Sequence, residues 1–427
     1  MSLHPTSVAR ATEPQRPAHD PFELALSRPD ISEADIQSVV GVLRTPFLSL
    51  GPKVGEFERA FCDYTGARFA TAVSSGTAAL HLAVKALDLR PGDEIITSPF
   101  SFVASANCAL FVNAVPVFVD IDPVSFNLDP ASIERRITPR TRAILPVHVF
   151  GRPANMDAVM DIARRHDLRV IEDACEALGA RWRGRHVGTL GDVGTFAFYP
   201  NKQITTGEGG MLVTEDPDLD RQFKSLRNQG RGSSGAWLQH EQLGFNYRLS
   251  DINCALGLSQ LLRVVDILQR RRAVAEEYRR QLADIEQLEL PIHESDGAEL
   301  SWFVYVVRLQ GYGFSEREEV LGALRSEGIG CNHYFAPLHL QPHFRELGHR
   351  EGDFPITEAI AASTVALPFY TSLRSDQIAR VSDVLRRALA RLDTGHRRQA
   401  PSRRAAAAAG GASAPGSTGS RSWSSRS

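Results

Sequence analysis

Four short segments of this sequence bring together residue types that can do chemistry. The run Gly194-Thr195-Phe196-Ala197-Phe198-Tyr199-Pro200-Asn201 reads as a strand that delivers Lys202 into a loop, just before the glycine-rich turn Gly207-Glu208-Gly209-Gly210. A lysine held beside an aldehyde can form an imine, provided that desolvation or a nearby cation frees its amine. The plainer alternative is a solvated loop lysine. Only four of the 48 Lys and Arg residues are lysine, so each invites inspection. Lys53 follows Gly51-Pro52, Lys85 lies mid-helix and Lys224 sits on a polar helical stretch, all weaker settings than that of Lys202.

In Val170-Ile171-Glu172-Asp173-Ala174-Cys175-Glu176, Asp173 falls at the end of a buried strand. That is the carboxyl edge at which open α/β sheets hold their ligands. A buried carboxylate needs a partner: a pyridinium nitrogen would serve, and so would the start of the next helix. Ser74-Ser75-Gly76-Thr77-Ala78 lies between a strand and a helix, where unpaired N–H groups and the helix dipole suit a phosphate. Gly76 lets an anion approach the main chain and Thr77 adds a hydroxyl; an ordinary N-cap is the alternative. The fourth segment, Gly244-Phe245-Asn246-Tyr247-Arg248-Leu249-Ser250-Asp251, is unusually polar and aromatic for a helix start, with Ser250 or Asp251 as the modest N-cap reading.

The elements around these segments alternate. Strands are expected at Phe69 to Val73, Glu94 to Thr97, Val115 to Val119, Ala143 to Val147, Arg169 to Glu172, Val193 to Phe198 and Met211 to Thr214. Helices are expected from Thr77 to about Leu89, Pro130 to Arg136 and Met156 to His166. Such alternation argues for an α/β fold with a mostly parallel sheet covered on both faces. A long helix is expected from Ser250 to Leu282, with Leu256, Leu261, Val264, Val265 and Leu268 on its apolar side. Beyond it the texture changes to a strand, Trp302 to Leu309, and a helix opened by the capping box Ser315-Glu316-Arg317-Glu318 and ending near Gly328. Two more helices follow, Phe354 to Ala366 and Ser375 to Leu392. The expected organisation is therefore a disordered segment 1–21, a large domain 22–265, a smaller α+β domain 266–394 and a disordered basic tail 395–427.

Composition narrows the function classes. At 43% hydrophobic and 23% charged residues the chain is an ordinary globular sequence, and a formal charge of −2 gives no electrostatic argument for nucleic acid or membrane binding. The longest apolar stretch, Cys108 to Val119, is broken by Asn113 and Pro116 and falls short of the ~20 residues that span a bilayer. With no signal-peptide core near the start, the cytoplasm is the expected compartment. Cys62, Cys108, Cys175, Cys254 and Cys331 are odd in number and scattered, so reduced thiols are expected.

Taken together, Ser75-Gly76-Thr77-Ala78-Ala79-Leu80, Glu172-Asp173-Ala174, Lys202, Gly207-Glu208-Gly209-Gly210-Met211 and Gly244 to Asp251 resemble, in order and spacing, the DegT/DnrJ/StrS family of pyridoxal 5′-phosphate (PLP)-dependent sugar aminotransferases. The resemblance runs from about Phe47 to Leu392 and implies the type I PLP aminotransferase fold. It implies that Lys202 is the lysine carrying the cofactor and that Asp173 pairs with the pyridine nitrogen. Phe102, in Ser98-Pro99-Phe100-Ser101-Phe102, would stack on the ring, a core aromatic being the alternative. Gly76, Thr77 and Ala78 would bind the phosphate, and Asn246 would reach it from a neighbouring subunit, which implies a homodimer with shared active sites. Tyr334 and His339, in Tyr334-Phe335-Ala336-Pro337-Leu338-His339, resemble a segment near the substrate entrance.

The implied reaction moves an amino group from glutamate to a keto sugar, a nucleotide-linked 4-keto-6-deoxy hexose foremost. Two departures stand out. Ala197 replaces a serine that many relatives place five residues before the lysine to bind phosphate, and Glu176 stands where relatives often carry Gln or His near the cofactor 3′-oxygen. Rival readings are a cyclitol aminotransferase acting on a keto-inositol, a PLP-dependent sugar dehydratase, and a non-catalytic regulator keeping the fold. Dehydrases of this family replace the lysine by histidine, so Lys202 argues against the second, and intact Asp173 and Lys202 argue against the third. His333, His339 and His343 lack the acid or Cys pattern of a metal site, and no metal is expected.

Overall fold

The computed structural model describes residues 22–232, 239–293 and 297–399. The ends expected to be disordered lie outside the described residues at 1–21 and from 400 onward, while the closing helix, Ser375–Gln399, runs beyond the expected Leu392.

Seven strands build the central sheet: β1 (Phe69–Val73), β2 (Glu94–Thr97), β3 (Val115–Phe118), β4 (Thr141–Leu145), β5 (Arg169–Asp173), β6 (Val193–Ala197) and β7 (Gly210–Thr214). Their order is β1-β7-β6-β5-β4-β2-β3, with β7 antiparallel to both its neighbours and the other pairs parallel. The parallel strands are apolar on both faces because helices cover both. Along β5, Ile171 joins the core beneath the helix Gly76–Ala86, whereas Val170 joins Val159 and Ile162 of the helix Met156–His166 on the other side. Alternation then sends Glu172 to the face of Val170 and Asp173 to the face of Ile171.

A smaller antiparallel sheet follows, β8 (Leu288–Glu289), β9 (Tyr305–Leu309) and β10 (Thr364–Leu367), in that order. Its core takes Tyr278 and Leu282 from one helix, Val320 and Leu324 from Phe314–Ser326, and Val381 and Leu385 from Ser375–Gln399.

Several expected elements differ. The long helix is two, Asp251–Leu262 and Val264–Leu282, because Arg263 at the joint has φ −107° and ψ 4° and donates its guanidinium to Asp30 and Asp35. The break rotates the second helix, so Val265 is exposed and Ile267 is buried. The strand expected from Trp302 begins only at Tyr305, since Trp302 takes φ 54° and leaves extended geometry. The helix expected from Phe354 to Ala366 is Pro355–Ser363, and its apolar end is β10, pulled into the sheet by pairing with β9. The capping box expected from Ser315 and Glu318 does not form: the N-cap before Phe314–Ser326 is Gly313, whose N–H donates to Glu316 Oε2 at 3.0 Å.

Candidate active site

A cavity of about 520 Å³ opens at the carboxyl ends of β5 and β6. Ser75, Gly76 and Thr77 line one side, Asp173, Cys175 and Glu176 another, and Phe303, Tyr334 and Phe335 reach it from the C-terminal part. Of the four lysines, Lys202 alone lines it. Lys53 and Lys224 instead pair with Glu56 and Asp220 on their own helices, and Lys85 is exposed.

The Lys202 side chain is 13% exposed, with Nζ 3.6 Å from Glu176 Oε1 and 3.9 Å from the centre of the Phe303 ring. Glu176 is itself buried, and its other oxygen accepts the Phe150 N–H at 3.0 Å. Burial pushes its carboxyl above the ordinary value of 4.5, against the opposing pull of Lys202 and the Phe150 N–H. Gln203, next in sequence to the lysine, donates to the Glu176 carbonyl at 2.6 Å and to Ser301 Oγ at 2.9 Å, tying the lysine loop to the segment that carries Phe303.

Asp173 is 4% exposed and accepts two hydrogen bonds, from Ser105 Oγ at 2.7 Å and from the Cys175 N–H at 3.1 Å. Among the described residues no cation lies within ion-pair distance of it. A buried carboxylate so placed is short of one positive partner. Cys175 stands between the two key groups: burial, then the Asp173 carboxylate, pushes its thiol well up, and the Lys202 ammonium pulls it down.

The helix Gly76–Ala86 points its N-terminus at the cavity. Gly76 has no room for a side chain, since a Cβ there would come within 2.7 Å of Ala197 Cβ and 2.9 Å of Cys175 Sγ. The Ala78 N–H donates to the N-cap Ser75 Oγ at 3.1 Å, and Ala78 is absent from the cavity wall. Of the trio expected to bind phosphate, Gly76 and Thr77 line the cavity, and the Ala78 N–H lies at the same helix start on the N-cap hydroxyl. Phe102 lines the mouth at 60% exposure, so it is not a core aromatic.

Asn246, expected to reach a neighbouring subunit's site, and His339 both lie outside this chain's own cavity. Asn246 is exposed and absent from this cavity, its backbone bridged to Asn228. His339 is fully buried against Phe354, with Nε2 2.9 Å from Glu358 Oε1. The short turn Leu338–Leu340, pinned by the Leu338 N–H on the Pro99 carbonyl, keeps His339 out of the cavity wall. Tyr334 does line the cavity, and burial raises its phenol pKa. Sequence reasoning missed Ser101, Tyr199, Asn201, Phe303 and Phe335. Tyr199 and Asn201 sit in the quoted lysine segment and could have been found; Phe303 is brought in by tertiary packing alone. No group of three metal-ligating side chains occurs among the described residues, and the five cysteines are free.

The sequence profile of the DegT/DnrJ/EryC1/StrS aminotransferase family matches residues 29–386. The chain belongs to this family. Among relatives of the family, it is 42% identical over 363 residues to the GDP-perosamine synthase of Caulobacter vibrioides, covering 84% of this chain and 96% of that one. It is 38% identical over 375 residues to the spore coat polysaccharide biosynthesis protein SpsC of Bacillus subtilis, covering 85% and 96%. The PLP form of Spr1654 from Streptococcus pneumoniae superposes with a TM-score of 0.82 at 28% identity, covering 86% of this chain and 98% of that one. As a DegT/DnrJ/EryC1/StrS aminotransferase, this protein is a PLP-dependent transaminase of the amino-sugar class with the type I fold. The residues present fit the cofactor, because a pyridinium nitrogen supplies the positive partner that Asp173 lacks and the helix N-terminus offers donors to a phosphate.

Proposed function

We propose that this enzyme moves the amino group of glutamate to a keto carbon of a nucleotide-linked sugar, a 4-keto-6-deoxy hexose foremost, in the cytoplasm and as a homodimer. The observation that carries this reading is the pair Asp173 and Lys202 on one cavity, an acid short of a cation and a largely shielded amine beside a buried acid. PLP, when bound, supplies a carbonyl that takes up the amino group and a ring that accepts electrons. In this reading the Asp173 carboxylate holds the proton on the ring nitrogen. The N–H groups of Gly76 and Thr77 take the phosphate, and Phe102 covers the ring. Lys202 Nζ would hold the cofactor and, once freed, would move the proton to and from the substrate carbon. Glu176, 3.6 Å away and with its proton affinity raised by burial, would hold the Lys202 amine in place beside the cofactor.

The mouth of the cavity suits a sugar nucleotide. Tyr199 is 52% exposed there and offers an aromatic ring, while Tyr334, Asn201 and Glu208 offer polar atoms. The identity to a GDP-perosamine synthase supports the same substrate class. The homodimer is supported by Asn246, which is exposed outside its own cavity, and by the exposed apolar run Phe47, Leu48 and Leu50. That run is tied to the same segment, because Asp251 accepts the Gly51 and Lys53 N–H groups at 2.6 and 2.8 Å.

Purified enzyme incubated with glutamate and a panel of nucleotide-linked 3-keto and 4-keto sugars is expected to form an amino sugar and 2-oxoglutarate. Lys202→Ala is expected to lower this turnover at least ~10³-fold and to remove the visible absorbance of lysine-bound cofactor. Retention of both in the variant overturns the assignment.

A further inference from the structure

Ser105 and Ser101 extend the Asp173 site inward through a chain of hydroxyls. Ser105, in the helix Ala104–Leu110, is 1% exposed, and its Oγ lies 2.7 Å from Asp173 Oδ2. Ser101 is 3% exposed, and its Oγ lies 2.7 Å from Ser105 Oγ while also lining the cavity. A serine hydroxyl has one hydrogen to give. An ionised carboxylate only accepts, so Ser105 spends its hydrogen on Asp173, and the second contact must then be Ser101 donating to Ser105. The direction of the whole chain follows: Ser101 to Ser105 to Asp173. Each Asp173 oxygen receives one donor, Ser105 on Oδ2 and the Cys175 N–H on Oδ1.

Resting on the assignment of Asp173 above, we propose that Ser105, backed by Ser101, is a positioning residue that fixes the Asp173 carboxylate and keeps the shared proton on the cofactor's ring nitrogen. A hydroxyl donating to a carboxylate lowers that carboxylate's appetite for a proton, and a second hydroxyl donating to the first strengthens the effect. The proton between Asp173 and a ring nitrogen therefore stays on the ring, where it makes the ring the better electron acceptor. The same bond stops the carboxylate from rotating. The other titratable groups facing Asp173 are Cys175 and Cys108, both with thiols pushed up by burial and then by Asp173, and beyond Cys175 Lys202 and Glu176. The Cys175 thiol also interacts with the Asp173 side chain, but a thiol is a weak donor, and Ser105 is the hydroxyl that donates to Oδ2.

The test is a double-mutant cycle on the holoenzyme. Ser105→Ala is expected to lower kcat about tenfold with the KM for glutamate within twofold, and to weaken PLP retention severalfold in equilibrium dialysis. It should also move the pH at which the visible band of the bound cofactor changes. Ser101→Ala should shift the same readouts in the same direction by less, and Ser105→Cys, which keeps the bulk with a weak donor, should fall near Ser105→Ala. In an Asp173→Asn background, Ser105→Ala should change neither PLP retention nor kcat further. Multiplying effects in that background, or a Ser105→Ala enzyme with unaltered kcat and band, would sink the proposal. Asp173→Asn that binds PLP and turns over like the parent overturns the underlying assignment instead.

Discussion

Glu172 and Asp173 are consecutive buried carboxylates that face opposite sides of the central sheet, and the protein treats them oppositely. Glu172 is fully buried and accepts four donors, the N–H groups of Gly188, Leu190 and Gly191 at 2.8, 2.6 and 2.6 Å and His148 Nε2 at 3.0 Å. His148 Nδ1 accepts the Ala154 N–H at 3.0 Å, so its proton sits on Nε2 and the ring donates to Glu172. Asp173 has two donors and faces the cavity. One acid is saturated by its own chain; the other is left with bonding capacity for a ligand.

Glu172→Gln should therefore damage the fold and spare the chemistry. The amide turns a donor toward groups that also donate, a cost of about 2–4 kcal/mol from the magnitudes for charged buried hydrogen bonds. Thermal unfolding of the apo protein should show a lower Tm, while kcat per folded, PLP-bound molecule stays near that of the parent.

The raised pKa of Glu176 carries a pH dependence with a definite sign. The folded chain holds this proton more tightly than the unfolded chain, where the carboxyl titrates near 4.5. Stability that is fully present below pH 4.5 is then lost as pH rises through the folded value. Glu176→Gln should remove that slope, so the stability difference between variant and parent apo protein, followed by unfolding at successive pH values above 4.5, should grow in favour of Gln. A difference that is flat across this range would show that the acid is not held protonated.

The contact between Gly76 and Ala197 makes two substitutions informative. Gly76→Ala sets a methyl 2.7 Å from Ala197 Cβ and should displace the helix start, with PLP affinity falling tenfold or more. Ala197→Ser puts a hydroxyl beside the same N-terminus, and one hydrogen bond to a phosphate, ~1.5 kcal/mol, should tighten PLP about tenfold in dialysis.

His339→Asn should leave KM for the keto sugar and kcat within twofold of the parent, because the ring is buried on Glu358 and outside the cavity. The expected change is in stability, read as a lower Tm, since the Glu358 carboxylate loses its ring partner.

Much of this protein was legible in its residues. The seven central strands were found within a few residues, because period and β-branched composition are local properties. Lys202, Asp173, Gly76 and Thr77 line one cavity, and each stands out in the sequence because a strand end or a helix start exposes its functional group wherever the fold carries it. The segment Phe354 to Ala366 has a helical pattern to its end, because only pairing with the neighbouring strand Tyr305–Leu309 makes its last residues a strand. Likewise, nothing local distinguishes His339, sealed against Glu358, from a histidine at an entrance, or shows that Ala78 has already committed its N–H to Ser75. Sequence alone thus determined which residues are equipped for the chemistry. Which of them share a cavity, and which neighbours such as Ser105 and Phe303 bear on them, was decided by packing between segments far apart in the chain, where hydrogen-bond partners and desolvation are properties of the assembled neighbourhood.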